Sequence, residues 1–130
     1  MSHQLTIVVY QKMYAVCRLE PQAVIPAWAD GAEFVSVTRT AAELSIVCQQ
    51  DKLPGDVRAE KNRRLMRIEG KLGFELTGVL ASVTAPLSKA ELSIFAMSTY
   101  DTDYLLIADE DLQKAAEMLE AAGHTIRQSR

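Results

Sequence analysis

The chain is expected to be an α+β protein built from two β-α-β-β-α-β units in tandem, with antiparallel sheets and the helices on one face. Three observations point there. Short runs rich in β-branched and aromatic residues alternate with stretches of helical period. The order of these segments is the same in both halves. Pro26 and Pro86, each inside a helical pattern, stand 60 residues apart, and that one shift sets the halves against each other without a gap. Proline inside a helix deletes a hydrogen bond, so its recurrence at matching places carries weight.

In chain order, Leu5-Thr6-Ile7-Val8-Val9-Tyr10 reads as a strand, and Met13 to Leu19 as a second. Pro21 suits a first helical position, and Val24, Ile25 and Trp28 make a short apolar stripe that Asp30-Gly31 stops. Phe34-Val35-Ser36-Val37 and Leu44-Ser45-Ile46-Val47-Cys48 are strands. Pro54 to Arg64 has helix-favouring composition and is expected to be a short helix; Leu65-Met66-Arg67-Ile68 returns to a strand.

In the second half, Phe74-Glu75-Leu76 reads as a strand, and Gly78 permits a sharp entry into a helix bearing Val79, Leu80, Val83 and Leu87. Leu92 to Met97 and Tyr104 to Ala108 are strands. Asp109 suits a helix cap. Leu112, Ala115, Ala116 and Leu119 recur at i, i+3, i+4, i+7 before Gly123, the securest helix signature in the chain. Thr125-Ile126 closes with a short strand.

The 60-residue shift pairs Tyr14 with Phe74, Phe34 with Ile94, Thr38 with Ser98, Glu43 with Asp103, Ile46 with Leu106 and Asp51 with Asp111. The expected units are therefore residues 1–70, with an extra N-terminal strand, and 71–130. Leu5 to Tyr10 falls on Leu65 to Gly70, the end of a unit. The N-terminal strand is thus expected to fill a sheet edge that the other unit leaves open.

Bulk composition narrows the function. The chain has 130 residues, net charge −3 and an ordinary apolar fraction of 48%. Lys61, Arg63, Arg64 and Arg67 form a short basic run, too small to suggest nucleic acid. No apolar run approaches the roughly 20 residues of a membrane span. Met1-Ser2-His3-Gln4 lacks a signal-peptide pattern. Cys17 and Cys48 each sit inside an apolar run and read as buried reduced thiols. A cytoplasmic protein that binds neither nucleic acid nor membrane is the expectation.

Ser98-Thr99-Tyr100-Asp101-Thr102-Asp103-Tyr104 links two apolar strands. Five of these seven residues carry a hydroxyl and two are carboxylates. Two readings stand side by side: a hairpin turn closed by its own side chains, or a rim of donors and acceptors for a small polar ligand. Trp28 reads as packing, Tyr10, Tyr14 and Tyr104 as strand residues with hydroxyls at the sheet margin, and Met66, Met97 and Met118 as core filler.

With Gly78-Val79-Leu80-Ala81-Ser82-Val83 opening a helix, Pro86-Leu87, Leu92-Ser93-Ile94-Phe95-Ala96 and the 98–104 stretch, the chain resembles ACT-like proteins made of tandem ACT domains, a group that the eukaryotic arginine sensors also resemble. The resemblance implies ferredoxin-like units and a regulatory protein that binds an amino acid at an interface between units. It implies that Gly78 and Val79 offer backbone groups at the helix start, where free N–H groups and the dipole favour a carboxylate. Ser98, Thr99 and Tyr100 would form the rim, and Asp103 would receive the ligand's cationic group. The first half departs: Arg18-Leu19 stand for Gly78-Val79, Arg39 for Thr99, and Ala41-Ala42 for Asp101-Thr102. Ala90-Glu91 stands where the family usually has a glycine turn.

An enzyme is poorly supported. His3 and His124 are the only histidines, one near each end. There is no Cys/His spacing for zinc, no glycine-rich phosphate loop and no nucleophile elbow. An Asp101/Asp103 dyad lacks a partner nucleophile. No cofactor and no metal are expected. The alternative is a ligand-free interaction module that dimerises or docks on an enzyme or transporter; a homodimer suits both readings.

Overall fold

Thr6 to Leu19 forms one continuous 14-residue strand, β1. The computed structural model describes residues 3–30, 33–70 and 77–129. The sequence pattern by itself divides this stretch into two strands, Leu5–Tyr10 and Met13–Leu19, parted at Gln11-Lys12. Both residues are exposed, but neither is a glycine or proline, so nothing breaks the backbone pairing there. After a one-turn 3-10 helix at Ala27–Ala29 come β2 (Ser36–Arg39) and β3 (Leu44–Gln49). A 3-10 turn at Gln50–Lys52 leads to β4, a ten-residue strand at Ala59–Ile68. Helix α1 spans Val79–Lys89, β5 Ile94–Ser98 and β6 Asp103–Ala108. A 3-10 turn at Asp109–Asp111 runs into α2 (Leu112–Ala121), and β7 (Thr125–Gln128) follows. The protein is thus a mixed α/β fold with a largely antiparallel sheet and two helices among the described residues.

The chain divides into two compact units: Met1–Gln11 with Arg64–Arg130, here the split unit, and Lys12–Arg63, the inserted unit. This differs from the boundary expected near residue 70. The reason is that β1 and β4 are each long enough to give one part to each unit.

In the inserted unit, β1 pairs antiparallel with β3 from Tyr14↔Gln49 to Leu19↔Leu44, and β3 pairs with β2. Its core is Ala15, Cys17, Ala29, Leu44, Ile46 and Cys48, with Trp28, Leu53 and Val57 packed against it. The helix expected after Pro21 is absent: Val24 and Ile25 are 87% and 51% exposed, and Pro26 has extended φ/ψ of −68° and 152°. Pro26 pushes Ile25 away from helical backbone. The Arg39 guanidinium donates to the carbonyls of Pro21 and Ala23, which satisfies them outside a helix. The short helix expected over 54–64 is also replaced, from Ala59 onward, by β4. Gly31, expected to end the first helix, lies outside the described residues.

In the split unit, Val79, Val83 and Leu87 of α1 and Ala115 and Leu119 of α2 share one core with Ile7, Val9, Met66, Ile68, Leu105 and Ile107. The strand residues alternate, so both helices cover the same sheet face. The expected strand Phe74-Glu75-Leu76 lies outside the described residues. The N-terminal part of β1 does join this sheet, pairing parallel with β7 from Thr6↔Thr125 to Val9↔Gln128. Asp109 does not cap α2. Its carboxylate pairs with Arg64 at 3.2 Å. Gly123, at φ 99°, ends α2 as expected, with His124 N–H reaching the Leu119 carbonyl at 3.0 Å.

The 60-residue shift places β2 and β3 on β5 and β6 within two residues. The helices do not follow it: the segments matching α1 and α2 hold 3-10 turns, loops and the start of β4.

Candidate functional site

Gly78 enters α1 in the left-handed region, φ 76° and ψ 0°. A side chain would be strained there, and its Cβ would meet the His3 ring at 3.8 Å. As the N-cap, Gly78 has no side chain with which to satisfy the first-turn N–H groups. Val79 is buried in the split unit's core, so only its backbone is on offer. His3 Nε2 lies 2.9 Å from the Thr77 carbonyl and ties the start of the chain to this turn.

The Ser98–Asp103 stretch is a hairpin turn between β5 and β6. Ser98 and Asp103 are the last register pair, and Ser98 Oγ donates to Asp103 Oδ1 at 2.5 Å. Thr99 N–H donates to the Thr102 carbonyl at 2.8 Å, and Thr99 Oγ1 does so at 3.1 Å. Tyr100, at the tip, is 82% exposed. Thr102, which is not among the residues expected at the site, is 6% exposed and anchors the hairpin by donating from Oγ1 to the Ile68 carbonyl at 2.7 Å. Its partner sits at the end of β4, 34 residues earlier, and is not visible locally.

Helix start and hairpin belong to the same end of the split unit's sheet. Glu69 N–H donates to the Thr6 carbonyl at 2.9 Å, and Thr125 N–H to the Leu5 carbonyl at 2.8 Å. Leu5 N–H donates to His124 Nδ1 at 3.1 Å. His124 Nε2 therefore carries the proton and donates to the Ser82 carbonyl at 2.9 Å. Residues 3–6, the end of β4, the first turn of α1 and the start of β7 thus form one bonded frame, to which Thr102 fastens the hairpin. The two histidines, near opposite ends of the sequence, both serve it.

Farther along β4, Arg64 donates to the Tyr10 carbonyl from Nε at 3.1 Å and Nη2 at 2.8 Å. Arg67 Nε donates to the Tyr10 hydroxyl at 3.0 Å. Tyr104 stands close by. Burial raises its pKa, the Tyr10 ring adds to the rise and Arg67 opposes it.

Asp103 is engaged by Ser98 within the hairpin. Cys17 and Cys48 are buried in the inserted unit. The Cys17 thiol is pushed up, first by its hydrogen bond with Cys48 and then by burial, which keeps it protonated and unreactive. Among the described residues, no three His, Cys, Asp or Glu side chains come together to hold a metal ion, and no helix is long and apolar enough to cross a membrane.

Comparison with known proteins agrees with this architecture. An ACT domain model matches residues 58–121, and a model of an N-terminal domain matches residues 12–56. A protein of Agobacterium tumefaciens known from its crystal structure is 40% identical; the match covers 99% of this chain and 96% of that one, with a TM-score of 0.94. The regulatory subunit of aspartate kinase from Thermus flavus shares the fold at 10% identity, with a TM-score of 0.65 over 92% of this chain and 99% of that one. The human cytosolic arginine sensor for mTORC1 subunit 1 is 30% identical over 76 residues, 55% of this chain. That match spans only 23% of the sensor's length. Spanning the β4–α1–β5–β6–α2 order with both helices on one sheet face, the match at 58–121 identifies that part of the chain as an ACT domain.

Proposed function

We propose that the chain is a non-catalytic regulatory protein that binds a small polar molecule, an amino acid, and has two ACT-like units. The ligand's carboxylate meets the backbone N–H groups after Gly78. Its cationic group meets Asp103, with Ser98, Thr99 and Tyr100 as the rim. Binding changes a homodimer or a protein partner's hold on the chain, by the ligand's differential affinity for the two states. No cofactor takes part, and the setting is the cytoplasm.

One observation carries this reading. The ACT domain match encloses both candidate segments, 78–79 and 98–103, and the frame around residues 3–6 belongs to the same sheet end as both. By analogy, the relative named as a cytosolic arginine sensor supports an amino-acid ligand.

A thermal-shift screen of the purified chain against the twenty amino acids at millimolar concentration tests it. A ligand at ~100 times its dissociation constant adds ~2.7 kcal/mol, a shift of several degrees. Asp103→Ala should keep the fold and lose the response. The Ser98–Asp103 hydrogen bond favours a second reading, a ligand-free interaction module whose hairpin satisfies itself. A flat screen with a concentration-dependent dimer would establish that reading instead.

A further inference from the structure

A cavity of about 530 Å³ opens in the inserted unit, lined by Lys12, Met13, Gln50, Asp51 and Lys61. Small-molecule sites commonly span roughly 300–1,000 Å³, so its size fits a metabolite. Its walls come from β1, the 3-10 turn after β3 and the start of β4. One wall is braced. Gln50 Oε1 accepts from the Asn62 N–H at 2.5 Å, and Gln50 Nε2 donates to Asn62 Oδ1 at 3.0 Å. This two-point contact holds Asn62 at φ 60°, a left-handed conformation rare in mid-strand, next to Lys61 on the cavity wall.

The charges are arranged for an anion. Lys12 Nζ and Asp51 Oδ2 lie 3.5 Å apart. Among the described residues Lys61 has no ion-pair partner. The lining thus carries two lysines and one aspartate, a net charge of +1. Each ammonium has three donors and accepts nothing. Met13 supplies an apolar surface for a short carbon chain.

We infer that this cavity is a second ligand site, for an acidic amino acid. The inference takes the amino-acid class from the proposed function and adds the place and the side chain. An acidic amino acid has two carboxylates and one ammonium, the mirror image of two lysines and one aspartate. Lys12 and Lys61 each take a carboxylate, and Asp51 takes the ammonium. A neutral amino acid leaves one lysine unmatched, and a basic one sets like charges together.

Calorimetric titration of the whole chain with L-glutamate, L-aspartate, L-glutamine and glutarate tests this. L-Glutamate or L-aspartate should bind, and L-glutamine should bind about tenfold more weakly, the loss of one charge-assisted contact. Lys61→Gln, at an exposed position, should weaken the acidic amino acid by about tenfold while melting as the wild type does. Asp51→Asn should abolish the preference for L-glutamate over glutarate. Absence of binding by both acidic amino acids overturns the site, as does equal binding of L-glutamate and L-glutamine, or wild-type titrations from both variants. Binding lost in Asp103→Ala but intact in Lys61→Gln also overturns it while leaving the hairpin reading standing. The opposite pattern establishes the cavity and shows that the acidic ligand does not use the hairpin.

Discussion

His124 Nε2 donates at 2.9 Å to the Ser82 carbonyl, the one that Pro86, four residues on and lacking an N–H, leaves without its helical donor. The defect that proline makes in α1 is thus repaired by a side chain just beyond α2. The same ring accepts from Leu5 N–H, so one imidazole joins the helix to the first strand. His124 is 5% exposed, and unpaired polar groups are costly at such depth.

Replacing His124 by Ala should therefore lower unfolding free energy by about 2–3 kcal/mol, the cost of stranding two buried groups. In a Pro86→Ala background the new N–H can serve Ser82, and the cost should shrink. A double-mutant cycle from urea unfolding measures the difference. Equal costs in the two backgrounds would show that Ser82 does not depend on His124.

Thr102→Val removes the donor that holds the hairpin to Ile68, a hydrogen bond at a buried position. A loss of about 1–2 kcal/mol is expected. Amide exchange at Thr99, whose N–H closes the turn, should speed up more than exchange in β3.

Glu91 adopts φ 60° just after α1, with its N–H on the Ser88 carbonyl and that of Leu92 on the Leu87 carbonyl. This left-handed cap suits glycine. A non-glycine residue costs roughly 1–2 kcal/mol there, partly offset by the entropy that glycine loses on folding. Glu91→Gly should stabilise by about 0.5–1 kcal/mol net, read as a higher urea midpoint.

Tyr104 holds its proton more tightly in the folded chain than in the unfolded one, because burial disfavours the phenolate. Its contribution is complete below the unfolded tyrosine pKa of about 10 and is lost as pH rises through the folded value. Stability should fall with alkali above about pH 10, less steeply in Tyr104→Phe. Absorbance titration of the tyrosinates should show one raised transition lost in that variant.

Much of the split unit was legible in the sequence because its signals are local. The period of Leu112, Ala115, Ala116 and Leu119 followed by Gly123 gives α2 and its end. Two apolar runs around Ser98–Asp103 give the β5–β6 hairpin. The candidate residues there were readable as a polar turn, but Thr102 and His124 were not, since their partners lie 34 and 42 residues away. The inserted unit was legible only in its strands. Around Trp28 the apolar spacing suggested a helix, yet Arg39 binds the carbonyls of Pro21 and Ala23 from 16 and more residues away.

The sequence alone determined the mixed α/β class, the hairpin, the helix α2 and the family resemblance, because turn chemistry, hydrophobic period and capping act within a few residues. Only the tertiary structure decided that β1 is one strand, that residues 59–64 extend rather than coil, and that the compact units part at 11/12 and 63/64. These choices turn on which distant backbone supplies the hydrogen bonds, and an extended segment satisfies its N–H and C=O groups only through strands remote in sequence.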